Sequence, residues 1–159
     1  MAAGPEAAYG RLAMPRRLLL ALLAAAVTVG AFAAPPAMAG TGATVKVKRT
    51  SYGRILVDSR GFALYLFTRD PKGKSRCYGA CAEAWPPLVV TGDPSGGSGA
   101  KDSLVSTTKR KGGASQVTYA GRPLYYYVGD RSPGQVLCQD VFEFGGTWLV
   151  VKPDGTPVR

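Results

Sequence analysis

The sequence predicts an all-β fold: two duplicated antiparallel β-meander repeats, about eight short strands in all, packed as one sandwich- or barrel-like domain. Three observations carry this. The aromatic-acidic segment Gly61-Phe62-Ala63-Leu64-Tyr65-Leu66-Phe67-Thr68-Arg69-Asp70 returns 60 positions later as Gly121-Arg122-Pro123-Leu124-Tyr125-Tyr126-Tyr127-Val128-Gly129-Asp130. The same offset pairs Val45 with Val105, Gly53 with Gly113 and Val57 with Val117, so the duplication covers most of the chain beyond its leader. Each copy also closes on a tryptophan before a β-prone run, Trp85 ahead of Leu88-Val89-Val90 and Trp148 ahead of Leu149-Val150-Val151.

At the N-terminus, Arg16-Arg17, an apolar run from Leu18 to Ala34 and the small-residue site Ala37-x-Ala39 make the three parts of a secretory signal. Residues 1–39 are therefore expected to be leader and signal peptide, with Met14 an alternative start. The competing reading is an uncleaved anchor, because the run approaches the roughly 18–20 residues that span a bilayer. That segment is the only membrane attachment the sequence suggests, since no cysteine follows it closely to accept a lipid. Residues 40–159 are expected to be the mature domain, with repeat one at about 44–90, a mobile loop at 91–102 and repeat two at about 103–153.

In repeat one, Val45 to Arg49 alternates apolar and basic residues, Tyr52-Gly53 breaks the run, and Ile55 to Val57 resumes it. Asp58-Ser59-Arg60-Gly61 supplies a turn, so Leu64 to Thr68 should return antiparallel to Ile55–Val57. Repeat two repeats the plan with Leu104 to Thr108, the Lys109-Arg110-Lys111-Gly112-Gly113 turn, Gln116 to Tyr119, and Leu124 to Val128. Between them, Thr91 to Gly99 offers no large apolar side chain to bury, which suggests the mobile loop.

After position 39 there are 17 Lys and Arg against 9 Asp and Glu, a balance of +8. This favours an anionic envelope polymer or phospholipid headgroups as partner, or simply keeps an exported protein soluble. Nucleic acid is not expected, because the aromatics sit in strand-like runs rather than among the basic residues. The chain has no His. That excludes histidine triads, the usual general base, and His-bearing zinc or haem sites. No Gly-x-Ser-x-Gly elbow, phosphate loop or paired-carboxylate spacing is present, and no cofactor or metal is implied.

Within the repeated motif, Tyr65 and Phe67 share a strand face, as do Tyr125 and Tyr127, while Leu64 and Leu66 point to the other side. Asp70 and Asp130 each precede a Pro/Gly-containing stretch, so each can accept backbone N–H bonds and start a turn. A cation site or an acid–base pair is the alternative, and it requires the two carboxylates to face a shared cleft. Tyr65-x-Phe67-x-x-Asp70, Tyr125-x-Tyr127-x-x-Asp130 and the segment Cys77 to Leu88 together resemble a family of bacterial secreted proteins and lipoproteins. That family is named for its Tyr-x-(Phe/Trp/Tyr)-x-x-Asp motif and described as a secreted repeat of unknown function. The resemblance covers nearly all of residues 44–153, and implies an exported, duplicated β-domain whose biochemical role is not established.

Cys77 and Cys81 flank three residues in an exported chain, where a local disulfide is expected, shaping the turn that presents Trp85. A redox-active pair is the sharper alternative, although its spacing exceeds the thioredoxin-like one by a residue. Cys138 is left over, at nearly the place in repeat two that Cys77 occupies in repeat one, where the family pattern more often has glycine. It is open to being a free thiol, a partner for Cys77 or Cys81, a link between chains, or a third thiolate for a soft metal. Trp85 and Trp148 are expected in the core, while Tyr78, Tyr126 and Trp85 are the aromatics to test as sugar-stacking surfaces. The chain thus reads as a secreted or envelope-associated repeat, a non-enzymatic binding or structural module for an anionic polymer or small ligand. The runner-up is an extracytoplasmic redox or metal-handling accessory using the cysteines.

Overall fold

The computed structural model describes residues 42–159. The signal-peptide and cleavage readings at 1–39 lie outside the described residues. No helix among the described residues is long and apolar enough to cross a membrane.

Each repeat begins with an antiparallel hairpin. In repeat one, β1 (Thr44–Thr50) pairs with β2 (Gly53–Val57), and in repeat two β6 (Val105–Lys109) pairs with β7 (Ser115–Tyr119). The turn after each hairpin closes on a glycine with positive φ, Gly61 at 93° and Gly121 at 77°, where a Cβ would be strained. The meander then departs from its sequence expectation. The Tyr strand β3 (Tyr65–Phe67) has no ladder with its own hairpin; the residues leading into it are tied there by a bridge at Val57–Ala63 and by bonds from Asp58 N–H to Phe62 O and Leu64 N–H to Leu56 O. Its ladder partner is β10 (Gly146–Val150), the last strand of repeat two, with Trp148 opposite Phe67.

The exchange is reciprocal. The end of repeat one, Pro86 to β4 (Val89–Val90), runs beside the Tyr strand and hairpin of repeat two: Leu88 N–H bonds Leu124 O, Tyr126 N–H bonds Pro86 O, and Val89 faces Gln116. Matched backbone bonds recur in pairs. Leu56 N–H donates to Val151 O and Val117 N–H to Leu88 O; Gly73 N–H donates to Gly121 O and Gly134 N–H to Gly61 O; Tyr65 and Tyr125 exchange both of theirs at 2.9 Å. Such a pattern is what a two-fold relation between the repeats requires, as in an isologous interface.

The Tyr strands are covered on both faces, which is why Tyr65, Leu66 and Phe67 are all buried. Leu64, Leu66, Leu124, Val45, Leu56, Val117 and Leu149 form one core cluster. Tyr65, Phe67, Tyr125, Trp85, Trp148, Ile55 and Val150 form the other. The period-two alternation read from the sequence is the separation between these two clusters. The sheets stay open, with orders β2-β1-β5 (β5 at Ser95–Gly96), β3-β10-β9 (β9 at Val141–Glu143) and β4-β7-β6, β8 (Arg122–Pro123) pairing β7.

Residues 91–102, expected as a mobile loop, contain short regular elements. β5 (Ser95–Gly96) lies parallel to β1, and a 3-10 turn at Asp102–Leu104 follows it. The glycines are there for close approach. A Cβ on Gly97 would sit 2.7 Å from Thr44 Cγ2, and one on Gly96 would sit 2.7 Å from the Asp102 backbone nitrogen. Two further elements were not anticipated: α1 (Ala80–Ala84), ending at Trp85 just before Pro86, and β9 (Val141–Glu143), which pairs with β10.

Candidate functional site

The repeated motif residues converge between the two halves, and each acid is bound to the tyrosine of the other repeat. Tyr65 Oη donates to Asp130 Oδ2 at 2.7 Å, and Tyr125 Oη donates to Asp70 Oδ2 at 2.5 Å. The remaining oxygens turn to their own loops. Asp70 Oδ1 accepts the Arg76 N–H at 2.7 Å and Asp130 Oδ1 accepts the Leu137 N–H at 2.9 Å. Each carboxylate therefore organises the turn that follows it and ties that turn to the opposite repeat. Tyr125 Oη also lies 2.8 Å from Ser75 Oγ.

Burial sets the electrostatics. It pushes the Asp70 and Asp130 carboxyls above the ordinary carboxylate range, although the tyrosine hydroxyls and loop N–H groups pull the other way. Burial first, and the neighbouring carboxylate second, push the Tyr65 and Tyr125 hydroxyls far above their usual value. Both phenols remain donors through the physiological range. The two acids point into separate turns, each with both oxygens engaged, rather than into a shared cleft.

A continuous ring stack fills the space beside this clasp. Phe67 stacks on Trp148 at 4.2 Å, Trp148 stacks on Trp85 at 4.1 Å and 3° from parallel, and Tyr127 caps Trp85 at 4.6 Å, tilted by 37°. Tyr65 meets Trp85 edge-on at 5.3 Å and Tyr125 meets Trp148 edge-on at 5.1 Å. Each tryptophan packs on the aromatic strand of the other repeat. Contacts of this kind add about 0.5–1.5 kcal/mol each beyond burial. Trp85 and Trp148 are wholly buried, which removes Trp85 as a sugar-stacking surface. Trp85 Nε1 donates to Glu143 Oε2 at 2.9 Å, whereas Trp148 Nε1 is the one buried side-chain polar atom without a partner among the described residues. Tyr126 is half-buried and donates to Asp58 Oδ2 at 3.1 Å, a third tyrosine–aspartate contact across the repeats that the motif spacing did not reveal.

Cys77 and Cys81 form a disulfide with Cα atoms 5.2 Å apart. Both are buried, and the bridge frames the start of α1. Arg110 clamps the same loop, donating from Nη1 to Ser75 Oγ and Gln116 Oε1 and from Nη2 to Cys77 O at 2.7 Å. The turn read from the sequence at Lys109–Gly113 thus carries a structural arginine. What could have flagged it is Gln116, a long amide side chain at the start of the Gln116–Tyr119 strand run. Cys138 is a free, half-buried thiol beside Tyr127. A hydrogen bond with Cys138 and then burial push the Tyr127 hydroxyl up to about 12, and burial raises the Cys138 thiol in turn. With Cys77 and Cys81 bonded to each other, a three-thiolate site has only one thiol left. Among the described residues no three Cys, Asp or Glu side chains group together as metal ligands.

Fold and site together define an interlocked two-repeat β-domain whose signature residues build its core. The chain belongs to the lipoprotein family described as a secreted repeat of unknown function, whose pattern matches residues 46–89 and 106–152. It is a secreted repeat protein. Comparison with curated proteins and with solved structures finds no match.

Proposed function

We propose that this secreted repeat is a non-catalytic module that works by binding at the cell envelope, with an anionic envelope polymer as its partner. The observation that carries this reading is the crossed clasp. All four motif carboxylate oxygens are taken up, one of each acid in tying the halves together and the other in holding its own turn, so the signature of the family is a device for folding, and the working surface lies elsewhere. The balance of +8 after position 39 gives that surface a long-range attraction for polyanions. A small ligand has a poorer seat: an open depression of about 400 Å³ is lined by Val47, Arg49, Arg54, Ser98 and Gly99. The redox alternative is disfavoured by the burial of both bridged cysteines, since exchange needs a thiolate to reach a sulfur.

Sedimentation of purified residues 40–159 with isolated envelopes tests the reading. Co-sedimentation at low salt that is released as salt rises is the expected result. Protein that stays in the supernatant at low ionic strength would contradict it.

A further inference from the structure

Repeat one carries a cationic face that the fold does not require. The loop after the first motif acid, 71–76, exposes Lys72, Lys74 and Arg76. It is fastened to the tip of the second hairpin. Gly73 N–H bonds Gly121 O at 2.7 Å, Thr108 Oγ1 bonds Gly73 O, Arg110 holds Ser75 and Cys77, and the stem of Lys72 lies beside Gly121. These ties bring the exposed Lys111, which lies over the Tyr78 ring, and the half-buried Arg122 beside the loop, while Lys109 turns to Ser115 on the other face of the hairpin. Arg122 reaches back to the Asp70 carbonyl at 3.0 Å.

None of these cations is neutralised by an ion pair. The one salt bridge among the described residues is Arg60–Asp58, elsewhere, and Asp70, the acid nearest the loop in sequence, is 2% exposed and bonded inward. Arg110 itself is held by neutral acceptors. Asp70 acts electrostatically on Arg110 and Arg122 from inside, but the exposed Lys72, Lys74, Arg76 and Lys111 have no acid in ion-pair contact, and like charges so gathered repel one another.

The second repeat is the internal control. Matching hydrogen bonds align Gly73 with Gly134 and Arg76 with Leu137. Lys74 then corresponds to Gln135, and Lys109-Arg110-Lys111 to Arg49-Thr50-Ser51 at the 60-residue offset. The equivalent face, built from the loop after Asp130 and the tip of the first hairpin, carries three cations at these places, Arg131, Arg49 and Lys48, the last lying beside Gly134. Of the cations on the face of repeat one, Lys111 lies over the Tyr78 ring and Arg122 holds the Asp70 carbonyl, whereas the charged ends of Lys72, Lys74 and Arg76 make no hydrogen bond or ion pair among the described residues.

We propose that the face formed by loop 71–76, the tip at Lys111, and Arg122 is a binding site for a linear polyanion bearing repeated phosphates. Cations spread over three chain segments suit an extended polymer, and the arginine forks match phosphate oxygens. A bilayer surface fits less well. The exposed large apolar side chains, Tyr52, Leu137, Phe142 and Phe144, belong to other segments, leaving this face none to insert. The assignment rests on the binding reading above and locates it.

The test uses residues 40–159, long-chain inorganic polyphosphate as probe, and vesicles of phosphatidylglycerol and phosphatidylcholine as the competing surface. Lys74→Gln/Arg76→Gln/Lys111→Gln removes three charges from the face. Arg49→Gln/Arg54→Gln/Arg131→Gln removes three elsewhere. The face variant is expected to lose at least about tenfold in polyphosphate affinity, with a shallower salt dependence, while the control loses less than about threefold; unchanged urea midpoints verify folding. Equal losses in the two variants would overturn the site and leave only net charge. Tighter binding to vesicles than to polyphosphate would also overturn it. Envelope sedimentation separates the two claims: wild-type sedimentation untouched by the face variant removes the site alone, whereas no wild-type sedimentation removes the binding reading with it.

Discussion

A buried aspartate that accepts from a tyrosine of the other repeat couples two costs, since neither the carboxylate nor the phenol has water to fall back on. Removing one partner leaves the other underbonded, at about 1–3 kcal/mol. The acid end also leaves a signature in pH. Asp70 has a folded-state value above its unfolded one, so the folded protein holds the extra proton. Its contribution is therefore fully present below the unfolded value and is lost as pH rises through the folded value. Asp70→Asn lacks this titration. The advantage of the wild type over Asp70→Asn in urea unfolding should shrink as pH rises from about 3 and then level off. An advantage that grows over that range would show that the hydrogen bonds outweigh burial. The sequence displayed both acids and their role as turn formers, because each loop N–H lies within seven residues of its acid. The tyrosine on the second oxygen was not legible, because it comes from 55 or 65 positions away.

At the scale of elements, local patterning was informative and composition misled. Alternation around Val45–Arg49 and Ile55–Val57, and the Gly61 and Gly121 turns, gave the hairpins nearly as they are. The glycine-rich segment between repeats was taken for a loop because it has nothing large to bury, whereas its glycines let β5 lie against β1. Gly96→Ala tests this. The added methyl meets backbone at Asp102, so a loss of about 1–3 kcal/mol and faster protease cleavage within 91–102 are expected. Ser98→Ala, at the surface, should stay within about 0.5 kcal/mol. A neutral Gly96→Ala would mean the segment is not packed. β9 and α1 escaped the sequence because repeats one and two differ there. Eight positions separate Cys77 from Trp85 and ten separate Cys138 from Trp148, so one copy closes with a disulfide and a short helix and the other with a hairpin.

At the scale of the molecule, duplication was plain in the sequence, but exchange was not: the offset is the same whether each repeat folds on itself or on its twin. What decides between them is surface to bury. A half of about 60 residues has too little apolar area of its own, and swapping the terminal strands gives both halves one shared aromatic core. Separately expressed halves, 40–101 and 102–159, should each lack the near-UV circular dichroism of packed tryptophans, while 40–159 unfolds in a single transition. A half that folds alone would refute the interlocking.

The most direct measurement is a set of double-mutant cycles over the four motif residues, with Tyr→Phe and Asp→Asn in urea unfolding. The crossed pairs, Tyr65 with Asp130 and Tyr125 with Asp70, should show coupling of about 1 kcal/mol or more, and the pairs within one repeat, Tyr65 with Asp70 and Tyr125 with Asp130, about 0.5 kcal/mol or less. Coupling confined to the pairs within each repeat would contradict the crossed clasp and everything built on it.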